Sequence, residues 1–308
     1  MHRTHFLSFR LFSYNGVEAF CLNRDCGKKM LYLLSAIFCS ALVSLTLKVG
    51  ERYQYSTFAM LGVNYMTCTL SFLITRIGKS LPSSGLGFCT VLAAVNGFLY
   101  LGCMVMNTIN VKRSGAILQS TFVRLGVMVP TLLSIVLFGE RPSVRQAVAI
   151  VLVLAAFCIM NISNGDDASH TKTDFLFLFL GLFFGGASDS MSKVFEEYGE
   201  RGLDDAFIGL TFFFAFLMCM VLVFVRHERV GKRELLLGTV LGVPNYISSL
   251  LLLKALSFVS AYIAYPTYSV GVILTVTAVS VLFFRERLSK WKSAGVCVII
   301  VAIVLLNI

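Results

Sequence analysis

Charged residues are scarce in this 308-residue chain, and that scarcity decides its class. Asp, Glu, Lys and Arg make up 14% of the residues, 57% are hydrophobic, and the mean hydropathy is +0.83. A soluble domain carries roughly 25% charged residues and cannot hide this much apolar side chain in a core. The composition therefore predicts an integral membrane protein. Its net charge of +10 is explained by loops that face anionic lipid, so no nucleic-acid partner is expected.

Histidine is also scarce, which argues against an enzyme. The chain has four histidines, all in the predicted tail or loops: His2, His5, His170 and His227. No paired acids, metalloprotease-like pattern or nucleophile with a nearby base lies at membrane depth. Of the nine cysteines, Cys21 and Cys26 alone lie outside the apolar runs, and they have no partners at ligand spacing. We expect no catalysis, no cofactor and no metal.

Many apolar runs along the chain are long enough to cross about 30 Å of hydrocarbon as helices. The alternation of apolar and polar residues that is typical of β-barrel strands is absent from the sequence. Ten transmembrane helices are predicted, which makes the fold class an all-α membrane protein. They are Met30–Leu47, Ser56–Thr75, Leu86–Met106, Ser114–Phe138, Ala147–Ile162, Phe175–Val194, Ala206–Val225, Leu235–Lys254, Ala261–Phe284 and Ser293–Ile308.

The chain also contains an internal repeat. SGAILQSTFVRLGVMVPTLLSIVLFGERPSVRQAVAIVLVLAAFCIMNI (114–162) aligns without a gap with SAYIAYPTYSVGVILTVTAVSVLFFRERLSKWKSAGVCVIIVAIVLLNI (260–308), at an offset of 146. At an offset of 145 the first helix repeats too, placing Lys48 on Lys193. Repeats of this kind decide architecture.

The repeat divides the chain into domains. We predict a polar, basic tail at 1–29, a first five-helix repeat at 30–162, a linker at 163–174 and a second repeat at 175–308. Because five crossings reverse direction, the halves are expected to form an inverted repeat, as in many secondary transporters. The alternative is a miscounted helix and parallel halves. Loop charges give each half a basic side, but the two sides oppose each other, so overall orientation stays open.

The two copies ending in LFGERPSVRQ and LFFRERLSKWK resemble the EamA-type repeats of the drug/metabolite transporter superfamily, over the chain from Met30 onward. The resemblance implies two inverted five-helix repeats, cytoplasmic termini and a cavity lined mainly by the first, third and fourth helices of each half. The second copy departs from the pattern, with Arg285 in place of Gly139 and Leu288 in place of Pro142. The geometry of that turn is therefore in doubt.

The expected function is a secondary transporter that moves a small polar or amphipathic metabolite, anionic or amino-acid-like, across the plasma membrane by alternating access. The expected partners are this substrate, a coupling proton and membrane lipid. The alternative is a nucleotide-sugar transporter of an endomembrane. A non-transporting scaffold would not need Arg124 and Asp189 inside the bilayer, where a central charge costs about 2.5–3.5 kcal/mol.

The candidate substrate-binding residues are the polar side chains at membrane depth. They are Lys48, Gln119, Thr121, Arg124, Asp189, Lys193, Asn245, Tyr246, Tyr265, Thr267 and Tyr268. Arg124 is expected to clamp a carboxylate or phosphate, or else to pair with Asp189 or cap helix carbonyls. Val270 takes its place in the second copy, so a symmetric two-arginine clamp is excluded.

The other candidates also have two interpretations. Asp189 is either a proton-coupling carboxylate or a fixed counter-ion of Arg124 or Lys193. The matched lysines Lys48 and Lys193 either serve function or extend to the lipid headgroups. Tyr265 and Tyr268, on either side of Pro266, form a hydrogen-bonding cavity wall or an interfacial aromatic belt.

Overall fold

The computed structural model describes residues 24–50, 55–77, 84–162, 172–284 and 290–307, with some side chains inside the helices left undescribed. These residues form ten α-helices, and no β-strand lies among them. The helices are α1 (Arg24–Gly50), α2 (Thr57–Arg76), α3 (Leu86–Leu125), α4 (Met128–Val136), α5 (Val144–Ile162), α6 (Lys172–Tyr198), α7 (Asp204–Val225), α8 (Lys232–Leu256), α9 (Ala261–Phe284) and α10 (Lys290–Asn307).

Within the part of the chain that the structure describes, seven helices are long and apolar enough to cross a membrane, judged by length and composition. They are α1, α2, α3, α6, α7, α8 and α9; in α5 the apolar stretch Val144–Ala156 is shorter. Large apolar side chains cover their outer faces, among them Phe179 at 57% and Phe183 at 50% exposure. Such a surface is stable only against hydrocarbon, because water would have to solvate it.

The predicted third span, Leu86–Met106, agrees with the candidate span Leu86–Asn107, but the predicted fourth span, Ser114–Phe138, was wrong in its boundaries. One continuous helix, α3, runs through the polar stretch that was expected to be a loop, and α4 has only nine residues. The stretch contains no proline, and two of its side chains bind α6. Asn110 Nδ2 donates to the Phe177 carbonyl at 3.0 Å, and Arg113 Nε donates to Asp174 Oδ1 at 3.0 Å. At 1.5 Å per residue, α4 is about 14 Å long, too short to span a bilayer.

Several other helices begin earlier than expected, and two of them begin inside segments that were predicted to be non-helical. Helix α1 begins at Arg24, inside the predicted tail, and α6 begins at Lys172, inside the predicted linker. In both places a polar or charged turn extends an apolar helix, since hydrophobicity marks only the part of a helix that lies in lipid. The rest of the tail and linker, 1–23 and 163–171, lies outside the described residues.

The helix packing brings the two halves of the chain together. Helix α3 packs on α6 and α7, while α8 packs on α1 and α2; α2 packs on α7, α4 on α9 and α5 on α10. Glycine allows the closest of these approaches. A Cβ at Gly238 in α8 would lie 2.6 Å from Val63 Cβ and 2.7 Å from the Met60 carbonyl oxygen in α2.

The connection between α7 and α8 anchors the start of α2. Ser56 N donates to Glu234 Oε1 at 2.9 Å, and Ala59 N donates to Glu228 Oε2 at 3.2 Å. The Ser56 hydroxyl also hydrogen-bonds Glu228. Free amide groups and the helix dipole make a helix N-terminus favourable for carboxylates, so these acids position the first half against the second.

Candidate functional site

The inner face of α6 carries an acid within a membrane span. Asp189 lies in the spanning segment Thr173–Tyr198, and its side chain is exposed although Ser188 and Ser190 on either side are buried. At 3.6 residues per turn, Asp189 lies roughly 120° around the helix from Phe183 on the outer stripe. The carboxylate is therefore directed away from the lipid-facing stripe and toward the interior of the helix bundle.

Tyrosines from α9 and α3 form the walls around this acid. Tyr265, which is 1% exposed, donates from its hydroxyl to the backbone carbonyl oxygen of Asp189 at 2.5 Å. The hydroxyls of Tyr100 and Tyr268 lie close enough to the Asp189 carboxylate to interact with its charge. The structure therefore brings two predicted tyrosines and the predicted acid into one site, with Tyr100 added.

A hydrogen-bonded chain fixes Tyr268 in this site. The Ser248 hydroxyl donates to the Ala36 carbonyl oxygen at 3.2 Å and lies 3.0 Å from the Tyr268 hydroxyl. Since a serine hydroxyl has one hydrogen, Tyr268 is the donor to Ser248. This chain joins α1, α8 and α9. Tyr265 is buried, and both tyrosine hydroxyls are hydrogen-bonded to other helices, which favours the cavity-wall interpretation over the interfacial belt.

Tyr246 and Asn245, also predicted for the site, belong instead to the contact of α8 with α2. The Tyr246 hydroxyl is 3.2 Å from Thr75 Oγ1, and the residue is 1% exposed. Asn245 Nδ2 donates to Asn64 Oδ1 at 3.5 Å. Both side chains therefore join the halves. The Thr267 hydroxyl on α9 is buried and has no hydrogen-bond partner among the described residues.

Lys193, one turn beyond Asp189, lies in a network of three glutamates. Its Nζ is 2.7 Å from Glu196, 3.3 Å from Glu140 and 3.5 Å from Glu197, and its side chain is 6% exposed. Lys193 is therefore paired with glutamates and not with Asp189, so the interpretation of Asp189 as its counter-ion was wrong. We call these four residues the Lys193 network.

Glu140 gives the Lys193 network a second function, because it also binds the start of α9. Its two carboxylate oxygens accept from Ala261 N at 3.3 Å and Tyr262 N at 3.4 Å. A carboxylate at a helix N-terminus is favoured by the helix dipole. One glutamate of the first half thus holds two helices of the second half. The repeated Glu-Arg turn was the sequence signal for this residue.

A cavity of about 470 Å³ lies beside the Lys193 network. Glu196 belongs to both, and the other lining residues come from the ends of α6 and α8, the start of α7 and the first turns of α1. They are Tyr32, Phe195, Gly199, Glu200, Arg201, Asp204, Lys254, Ser257 and Phe258. Both acidic and basic side chains line the cavity, so its electrostatic potential does not favour ligands of one charge sign.

A buried polar junction on α3 was not predicted from the sequence. Asn96, which is 3% exposed, accepts from the Ser188 hydroxyl at 2.8 Å and donates to Thr211 Oγ1 at 3.4 Å. It therefore joins α3, α6 and α7 next to Asp189. A lone asparagine in an apolar run was the only signal available, and it does not indicate its partners.

Four predicted site residues cannot be placed further. The side chains of Lys48, Gln119, Thr121 and Arg124 lie outside the described part of the structure, although their backbones are helical. Within the described residues, no group of three or more His, Cys, Asp or Glu side chains could hold a metal ion.

The helical spans and the polar interior site define a multi-pass integral membrane protein. The family model of the EamA-like transporter family matches residues 27–162 and again 172–308, so the chain belongs to that family. It is a membrane transporter and not an enzyme. The resemblance found in the two Glu-Arg turns is thereby confirmed.

Two further similarities agree with this family. A Haemophilus influenzae protein described as uncharacterized is 26% identical over 279 residues, covering 86% of this chain and 93% of its own. A protein crystal structure that is 12% identical superposes with a TM-score of 0.74, covering 91% of this chain and 96% of its own. At that identity, the second similarity concerns the fold alone.

Proposed function

We propose that this protein is a secondary transporter that moves a small polar or amphipathic metabolite by alternating access around a site at mid-membrane. The observation that carries the proposal is the Asp189 carboxylate, exposed on the inner face of a spanning helix and walled by tyrosines of α3 and α9. A charge inside a membrane is costly and is placed there for a substrate or ion pathway.

The architecture in this proposal is an inverted repeat of two five-helix units. The 146-residue offset between the copies supports it, as does the family's match to each half separately. The helix packing also follows the repeat, in which α1, α2 and α3 correspond to α6, α7 and α8. The contact of α3 with α6 corresponds to that of α8 with α1, and the contact of α3 with α7 corresponds to that of α8 with α2. Transporters of this kind work by rocking one repeat against the other.

The Lys193 network is the proposed closure on one membrane face. It links Glu140 of the first half to Lys193 and the start of α9 in the second. Alternating access requires contacts between the halves that form on one face and break on the other. A network of charged side chains suits this role, because water can replace its hydrogen bonds when the face opens.

The proposed binding set retains Arg124, Gln119, Thr121, Thr267 and Lys48 beside the acid and the tyrosines. Arg124 would contact a carboxylate or phosphate of the substrate. Asp189 and Arg124 together would suit an amino-acid-like cargo. A coupling proton, the plasma membrane as location and lipid as surrounding partner complete the proposal.

Uptake into proteoliposomes, with and without a pH gradient, tests this function. We expect protein-dependent accumulation of at least one metabolite, increased by the gradient if a proton is coupled. A purified protein that moves no solute under any gradient would refute the proposal.

The arginine contact has a separate test. Thermal stabilisation of the purified protein by a metabolite library is measured for wild type and Arg124→Ala. We expect that stabilisation by carboxylated or phosphorylated compounds disappears in the variant. If stabilisation remains, Arg124 is a structural ion-pair partner and the clamp is refuted.

A further inference from the structure

The Asp189 carboxylate is exposed inside the helix bundle, and none of the described cations forms an ion pair with it. Within the described residues, Lys193 is one turn away but is held by Glu140, Glu196 and Glu197. None of the ion pairs described in the structure involves Asp189. The carboxylate is therefore free to act on a ligand rather than on the nearest lysine.

The neighbouring hydroxyls do not neutralise this acid either. Tyr265 donates its hydrogen to the backbone carbonyl oxygen of Asp189, and Tyr268 donates to Ser248. These bonds fix the two rings of α9 and use the hydroxyl hydrogens of Tyr265 and Tyr268. An ionised carboxylate is an acceptor-only group, so Asp189 can accept hydrogen bonds from a cationic ligand beside these rings.

A third aromatic ring completes the surroundings. Tyr100 packs edge-on against Phe212 at 5.5 Å between centroids and against Tyr65 at 6.1 Å. Tyr65 and Phe212 are almost fully buried, so Tyr100 is supported from behind. A carboxylate attracts an organic cation by its negative charge, and the face of a neighbouring aromatic ring adds to this attraction through the ring quadrupole.

We propose that the Asp189 carboxylate receives a positively charged group of the cargo, so the transported metabolite carries an ammonium or similar organic cation. This inference rests on the proposed function and narrows it. A purely anionic cargo would meet a carboxylate that none of the described cations neutralises and would be repelled, whereas an amine or amino acid would neutralise it. Asp189 thereby determines which charge class of metabolite is carried.

Competitive transport of matched compounds tests the inference. Proteoliposomes are offered a mixture built on three carbon skeletons, namely short aliphatic, branched aliphatic and phenolic. Each skeleton is present as the amine, the amino acid and the carboxylic acid without an amino group, and mass spectrometry measures accumulation. We expect wild type to accumulate amines or amino acids over their acid counterparts. Asp189→Asn is expected to lower their accumulation about tenfold or more, and Asp189→Glu to retain part of it.

Asp174→Asn is the matched control, because it removes an acid of the same helix that pairs with Arg113 at the start of α6. It is expected to keep the wild-type preference. Equal accumulation of the acids by wild type, or an unchanged preference in Asp189→Asn, would overturn the inference and leave the transporter intact. Loss of the pH-gradient response with the preference for amines retained would also overturn it, since Asp189 would then carry only a proton. No protein-dependent accumulation of any compound would refute both proposals.

Discussion

Replacing Lys193 by methionine tests how the two halves are held together on one membrane face. Methionine keeps the length of the side chain but leaves Glu140, Glu196 and Glu197 without the ammonium that now lies 2.7–3.5 Å from each. Removing one partner of a buried ion pair costs about 3 kcal/mol or more, because the remaining charges stay desolvated. The side chains of Lys193, Glu140 and Glu196 are at most 19% exposed, so this estimate applies better than the smaller value for surface pairs.

The melting temperature of the purified protein in detergent is the measurement. For a chain of this size, about 3 kcal/mol corresponds to a decrease of roughly 6 °C. Adding Glu196→Gln to Lys193→Met should recover part of the loss by removing one of the crowded carboxylates. The coupling between the two substitutions is expected at about 1–3 kcal/mol.

Lys254→Met is the matched control, because this lysine lines the cavity beside the network without the three close glutamates. Lys254 is half-buried and takes part in none of the described ion pairs, so its replacement should shift the melting temperature less than that of Lys193. If Lys193→Met melts with the wild type, the network does not hold the halves together, and the proposed closure on this face is wrong.

Two other predictions concern packing and buried polarity, and both are read from the melting temperature. Gly238→Ala should lower the free energy of unfolding by about 1–3 kcal/mol, because the added Cβ would overlap the backbone of α2. Gly87→Ala is the control and should leave the stability unchanged, because its Cβ would meet no atom within 4 Å. Equal shifts would exclude close helix approach as the cause. Asn96→Leu should cost about 1–3 kcal/mol by leaving the Ser188 hydroxyl without its acceptor. The control Thr90→Val loses a bond within its own helix and should cost less; the opposite order would contradict the buried junction.

Much of the candidate site was predictable because a charge in an apolar run is conspicuous. Asp189 was found this way, and the repeat marked the turn that contains Glu140. The partners were not predictable, since they depend on helix rotation and depth. Asp189 and Lys193 are one turn apart, which made them natural ion-pair candidates. The structure instead gives the lysine to glutamates from its own helix and from the α4–α5 turn.

By itself, the sequence determined the class of this protein, its helical content and its duplication. These follow from composition and from self-similarity, which require no knowledge of contacts. Tertiary structure decided where α3 ends, that Tyr246 and Asn245 join helices instead of lining the site with Asp189, and which acids Lys193 binds. The physical reason is that hydrophobicity determines which segments span the membrane and can be read from the sequence. The contacts of polar groups inside the membrane depend on how helices that are distant in sequence pack together.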